Sequence, residues 1–455
     1  MRLKIAFVTL LLFSTSPRHE LAAQQRLTDE CLVCDGKKSV LLGGAEVIAI
    51  NTTVWAFNRF VTKAEHGYIS LKSWKKNIRE GFVWDPNHFS TNQIQHPFHG
   101  SAYFTSARSR GFSYWESVPF PIFGSLLWEY FGEPHNPSIN DWITTSLGGI
   151  ALGEMTYRFS SMVLDNTATG AERTRREIFG FLISPVRGFN RLISGRTSRV
   201  YANAPGQKPS HLTTTMTVGY RRIGEGRSLG SGSDQVFVDF DFVYGALYQD
   251  EVTAPFDFFI FGLQLNYPEK RFLGRAQVQG ILFGTDLHRS DKSLLMISAF
   301  QHYDYINSEA YEFGGQSFSA SLLYRRQLGG RWVLRSIFHL NAMVLGATSS
   351  DFIDDNRDYD FGSGLGYKFV ARFDRAERAI VEFQSASFWL HTLSGSDSDH
   401  LVHFLRLKLS APITRRISLG TDFIVYERTS YVDVIDDLTQ RNPQARAFLS
   451  WRLDK

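Results

Sequence analysis

From Ser210 to Lys455 the chain repeats a two-faced pattern, apolar and polar residues alternating, and this restricts the fold to one built from strands. In Asp234–Tyr244, Val236, Val238, Phe240, Phe242 and Tyr244 share one face, and Gln235, Asp239 and Asp241 share the other. In Arg271–Leu282, Phe272, Ala276, Val278 and Leu282 oppose Arg275, Gln277 and Gln279. In Arg446–Leu453, Ala447, Leu449, Trp451 and Leu453 oppose Arg446, Ser450 and Arg452. Successive side chains of a pleated strand point to opposite faces. A soluble barrel or sandwich buries the apolar face. A membrane barrel turns it to lipid and keeps the polar face inside, over roughly 9–11 tilted residues per strand. Alternation alone serves both.

The N-terminus separates them. Arg2 and Lys4 give a basic start, Ile5–Phe13 an apolar run, and Leu21-Ala22-Ala23 a small-residue end. Residues 1–23 therefore read as a secretory signal peptide, too short in its apolar run to span a bilayer. An exported chain of two-faced strands belongs in the outer membrane, with its lipids and the barrel-assembly machinery as partners. A mean hydropathy of −0.18 suits this, because only half of each strand meets lipid. So do 38 Phe, 18 Tyr and 9 Trp, enough for aromatic girdles. The net charge of +4 is spread without a basic block, which excludes a nucleic-acid surface. Cys31 and Cys34 are expected either to form a small local disulfide in an oxidising compartment or to be incidental. A redox CxxC needs a βαβ context and a metal site needs further ligands, so neither cofactor nor metal is expected.

With 455 residues the chain has room for two domains. Residues 24–39 are polar and read as disordered, 40–200 as a helical domain, and 210–455 as the barrel. Val40–Phe60 imitates a membrane helix but carries Glu46, Asn51, Asn58 and Arg59, so it is expected to be buried against other protein. Further helices are expected at His96–Arg108, Ile122–Phe131 and Ile139–Val163, and a last one begins in the charged Glu172–Glu177 and ends near Ser194. The barrel half reads as about twelve strands, an even number as bacterial barrels have. Its last aromatic is Trp451, four residues short of the usual aromatic ending.

The helical block holds the chemistry-bearing residues. His96-Pro97-Phe98-His99 precedes Tyr103 and Arg108, and His99 and Tyr103 share a helical face. Glu129 lies in the apolar run FGSLLWEYF, where an unpaired carboxylate is costly. Ser138 or Asn140 can cap a helix with Asp141 in its first turn, and Gly149 and Gly153 offer a small-xxx-small face beside Glu154. The spacing favours a buried network of His99, Arg108, Glu129 and Glu154 over a catalytic or metal site, since HExxH, a Ser elbow and a P-loop are all missing. Inside the barrel, alternation points His302, Asp304, Arg335, His339 and Asn341 inward, with Asp360, Lys368, Arg372, Glu382, Gln384, Arg406, Lys408, Asp422 and Arg428. A lumen so charged solvates a channel or clasps a plug.

The block FHGSAYFTSARSRGFSYWESVPFPIFGSLLWEYFGEPHNPSINDWITTSLGGIALGE resembles a bacterial domain-of-unknown-function family of exported envelope proteins. His99, Tyr103, Arg108, Glu129, Ser138, Asp141, Gly149, Gly153 and Glu154 are the matching positions, over roughly residues 50–200. The resemblance implies location and architecture and carries no activity. The expected molecule is a membrane all-β barrel of about 12 antiparallel strands, with a helical domain in the lumen or at its periplasmic mouth. Its expected role is non-enzymatic: a plugged channel, lipid or small-molecule handling, or structure. The alternative is a membrane-embedded lipid hydrolase or acyl-modifying enzyme using His99 with Glu129 or Asp141.

Overall fold

The computed structural model describes residues 38–204, 207–248, 251–268, 271–354, 357–432 and 436–454. The expected signal peptide and the pair Cys31 and Cys34 lie outside the described residues. Lys38 and Ser39, expected in the disordered stretch, are placed: Lys38 pairs with Glu116 at 2.8 Å, and Ser39 caps the first helix.

The helical region comprises α1 (Val40–Ala56), α2 (Leu71–Glu80), α3 (His96–Arg108), α4 (Tyr114–Ser117), α5 (Pro119–Phe131), α6 (Ile139–Ile143), α7 (Gly149–Val163), α8 (Gly170–Ile183) and α9 (Pro185–Ile193). Three wide π turns extend them: Phe57–Thr62 after α1, Thr91–Gln95 before α3, and Thr144–Gly148 between α6 and α7. The helix expected over Ile139–Val163 is therefore continuous but widened in the middle. The expected last helix is broken at Ser184-Pro185, since proline cannot continue the hydrogen-bond ladder.

The strands are β1 (Leu212–Glu225), β2 (Ser228–Tyr244), β3 (Phe259–Tyr267), β4 (Leu273–Arg289), β5 (Ser293–Asn307) and β6 (Glu312–Gly329). They continue as β7 (Trp332–Asp354), β8 (Arg357–Arg375), β9 (Arg378–Ser394), β10 (Ser398–Pro412), β11 (Ile417–Val432) and β12 (Leu438–Asp454). Each pairs antiparallel with its sequence neighbours, and β1 pairs with β12, so the barrel closes and leaves no free edge. The register keeps like faces together: Met216 lies opposite both Phe240 and Trp451 on the outside, and Asp422 lies opposite Arg446 inside. Over β9–β12 the outward Trp389, Leu405, Leu407, Leu409, Phe423 and Leu449 are exposed, as a strand-spanning membrane barrel requires.

The lumen is filled by the wall's own side chains. A charged middle layer pairs Arg446 and Arg406 with Asp422 at 2.6 Å each, and Lys368 with Asp304 at 2.7 Å. Toward the rim away from the start of β1, the inward Ile306, Phe313, Phe388, Leu390, Ile424 and Tyr426 form an apolar cluster. Near the opposite rim a cavity of about 270 Å³ remains, lined by Asp241, Arg335, Arg372, Glu382, Arg406 and Lys408 among others.

The helices are neither in the lumen nor under its mouth, which corrects the sequence-based expectation. They pack on the outside of the wall. Phe159 meets Phe242 and Phe261 at 5.2 and 6.0 Å, and Tyr114 donates to Gln301 Oε1 at 2.6 Å. Trp115 stacks on Phe283 at 5.3 Å, and Phe89 meets Tyr305 and Tyr359. These barrel residues alternate with the inward Asp241, Asp304 and Asp360, so they point outward. The physical reason is visible in the lumen, where Asp422, Asp304 and their partners satisfy one another. The outer faces of β2–β8 instead offer an aromatic surface.

A second correction concerns α1. Only Gly43 and Val47 of it are buried, against α5, while Leu41, Ile48 and, beyond it, Phe60 are 86%, 57% and 64% exposed. Its polar residues turn inward: Glu46 pairs with Arg110 at 2.9 Å, and Asn51 donates to Gly124 O at 3.1 Å.

Candidate functional site

Two buried polar centres lie in the helical region. The first forms where α3 crosses α7. The crossing is close because Gly100 and Gly149 meet there: a Cβ on Gly100 would lie 1.8 Å from Thr145 O, and one on Gly149 2.5 Å from Gly100 C. Gly153 abuts Phe104 in the same way, so the expected small-residue face exists. The approach sets Arg108 Nε 2.7 Å from Glu154 Oε2, while Arg158 Nε reaches Glu154 Oε1 at 2.8 Å. Arg108 also donates to Phe112 O at 2.6 Å and lies over the Tyr157 ring at 4.5 Å. Burial pushes the Glu154 carboxyl up, but the two guanidiniums outweigh it and hold the carboxyl below the usual range. This is a closed ion-pair network.

The second centre gathers carboxyls without such partners. A parallel bridge between Val83 and Ser138 lays the chain around Asp85 against the start of α6. Ser138 caps α6, and its N–H donates to Glu129 Oε2 at 2.8 Å. Asn140 donates to Asp141 Oδ1 at 2.9 Å and accepts the Asp85 N–H at 2.9 Å. His96 Nε2 lies 3.5 Å from Asp141 Oδ1, and its Nδ1 lies 3.2 Å from Thr145 Oγ1. Trp128 donates to Glu133 Oε1 at 2.7 Å. Among the described residues no Lys or Arg forms an ion pair with Asp85, Glu129, Glu133 or Asp141.

Electrostatics follow. Burial, then Glu133, raises the Glu129 carboxyl well above its ordinary range despite the Ser138 N–H. Asp141 is raised by burial, by Glu129 and by Asp85, whose carboxyl hydrogen-bonds it. Burial pushes Glu133 up to about 7 and His96 down to about 4. The centre opens on a cavity of about 1110 Å³, whose walls include Ile50, Val54, Trp84, Phe98, His99, Trp128 and His135. Two of the π turns flank it, ending at His96 and following Asp141. Such turns recur where a helix is bent to place functional groups.

The structure regroups the residues that the sequence singled out. Arg108 joins Glu154, not Glu129. His99 meets Tyr103 Oη at 2.9 Å and the Trp128 ring at 5.4 Å, and Tyr103 also bonds Asn51. The histidine that approaches Asp141 is His96, so the pairing of His99 with Glu129 or Asp141 is replaced. Asp85 and Glu133 were missed as site residues: Asp85 reads as a turn residue before Pro86, and no local pattern marks either. In the lumen, His302 bonds Ser319 at 2.8 Å, His339 bonds Ser321 at 2.6 Å, and the two rings lie 4.9 Å apart. Lys368 links His302 to Asp304, while Asn341 bonds Ser317 at 3.0 Å. Arg335 stands apart, paired with Asp374 and Glu377. His302, Asp304, His339 and Asn341 are all buried, and His339 borders the 270 Å³ lumen cavity.

Residues 81–186 match the family model described as "Domain of unknown function (DUF3943)", which spans both centres. No curated protein matches the chain. Among solved structures it is similar to the NanC porin, with 10% identity, 53% of this chain and 100% of that chain covered, and a TM-score of 0.29. It is also similar to the KdgM porin, at 6% identity over 52% of this chain and 98% of that one, TM-score 0.23. The outer membrane channel DcaP of Acinetobacter baumannii matches at 6% identity over 53% and 96%, TM-score 0.23. The fold assignment rests on the closed hydrogen-bonded barrel itself.

Proposed function

We propose that this protein handles amphiphilic molecules at the bacterial outer membrane, through the helical region on its outer wall and not through its lumen. One observation carries the reading: the helices cover an aromatic part of the outward faces of β2–β8, leaving Val236, Leu340 and Leu365 exposed beside it, while the lumen is packed with the wall's own side chains. The helix with its π turn, Val40–Thr62, has 23 residues, about 35 Å at 1.5 Å per residue, against a hydrocarbon thickness of about 30 Å. Its exposed side is apolar, as a lipid-facing helix needs, and behind it lies the 1110 Å³ cavity with one polar wall. An acyl chain suits Ile50, Val54 and Phe98, and a polar headgroup suits the side of Asp85 and His135.

The test places a photo-crosslinking amino acid at Phe98 in cells and identifies what is captured. Lipid adducts at Phe98, together with the absence of steady conductance in planar bilayers, are expected. A conducting pore and no adduct at Phe98 would return the function to the lumen.

A further inference from the structure

Beyond the handling of amphiphiles, and independently of it, we propose that His96, Glu129 and Asp141 form a divalent-cation site. Their ligand atoms lie within 4.8 Å of one another, and all three residues are buried. An imidazole nitrogen with two carboxylates is a donor set for a first-row cation such as Mn²⁺ or Zn²⁺.

Three further observations point the same way. The first is charge. A carboxylate out of water needs a partner, and Glu154 in the same helical region has two guanidiniums. Glu129 and Asp141, 3% exposed each, have no Lys or Arg partner among the described residues, and Asp85 and Glu133 add more carboxyl groups beside them. A dication supplies the missing charge. The second is orientation. Ring nitrogen Nδ1 of His96 is engaged by the Thr145 hydroxyl, which leaves Nε2 directed at Asp141. A ligating histidine is fixed in this way by a hydrogen bond on its other nitrogen. The third is an unused acceptor. Glu129 Oε2 takes the Ser138 N–H, and Oε1 has no donor among the described residues. Three protein ligands leave open coordination positions, and Asp141 and His96 both line the cavity through which water or a ligand oxygen would reach them.

The test uses the full chain, refolded in detergent and stripped with EDTA. MnCl₂ or ZnCl₂ is titrated by calorimetry, and retained metal is counted by mass spectrometry after gel filtration. One equivalent should bind with a Kd in the micromolar range or tighter. Asp141→Asn and His96→Ala should abolish retention, whereas His302→Ala, in the lumen, should keep it. Thr145→Val removes only the hydroxyl behind His96 and should weaken binding by about 10–100-fold. Heat-modifiable migration in gels verifies that each variant is folded. Failure of the parent protein to retain either metal would overturn the proposal. So would retention unchanged in folded His96→Ala and Thr145→Val.

Discussion

Glu154 and Glu129 are both buried carboxyls of one helical region, on α7 and α5, yet only one of them has counter-charges. Glu154 is clamped between Arg108 and Arg158, and its carboxyl is held below the usual range. Glu129 has a single backbone donor, neighbouring carboxyls and a cavity nearby, and its carboxyl is held far above that range. The difference arises from helix geometry. Gly100 and Gly149 allow α3 and α7 to touch, which brings guanidinium and carboxylate together across two turns. At the other centre the π turns and the cap at Ser138 bring acids toward one histidine. Burial of a charge can thus mark a structural clamp or a poised site, and the surrounding partners distinguish them.

The comparison predicts unequal costs. Glu154→Gln should be the most damaging, because it leaves Arg108 buried without a counter-charge and Arg158 with only Asp257, at 3.5 Å. A loss of about 3–5 kcal/mol is expected from urea unfolding in detergent, and a loss under 1 kcal/mol would dissolve the clamp. Next comes a calibration on the barrel, outside both centres. Leu407→Arg on the lipid face should cost about 2–4 kcal/mol if it lies near the bilayer midplane. The inward Gln384→Arg should be milder, and equal effects would invert the assigned faces. Gly149→Ala drives a methyl into Gly100 and should cost about 1–3 kcal/mol, with loss of the Arg108–Glu154 contact. No measurable change would mean that the crossing is looser than described. Tyr114→Phe removes one hydrogen bond between helix and outer wall, that to Gln301. About 0.5–1.5 kcal/mol should go, with the barrel still heat-modifiable.

The barrel is legible in the sequence because a period of two runs through most of each strand, interrupted by bulges in β4 and β7, and the expected count of about twelve strands matches the twelve observed. The faces were legible too: Val236, Phe242 and Leu449 point out, and Asp239, His302 and Arg446 point in. The docking side was not. An outward Phe242 has the same pattern whether it meets lipid or Phe159, so periodicity carries no information on what covers it. The two centres were half legible. Glu129 and Glu154 stood out as acids in apolar helices, but a pairing 46 residues apart, such as Arg108 with Glu154, follows from the helix crossing and not from spacing. Asp85 was masked by its turn context, and His96 by its neighbour His99, whose spacing to Tyr103 gave the stronger local signal. α1 was misjudged for a related reason: its Glu46 and Asn51 implied burial, and they are buried on one side only.

The most direct test of the contrast is to unfold Glu129→Gln and Glu154→Gln side by side, both in EDTA. Glutamine keeps the shape and removes the charge. Glu129→Gln should hold the parent's stability within about 1 kcal/mol, since no cationic partner is orphaned and the amide oxygen still accepts the Ser138 N–H, while Glu154→Gln falls by about 3–5 kcal/mol. A fall at Glu129→Gln as large as that at Glu154→Gln would contradict the account, because it would require a buried positive partner for Glu129.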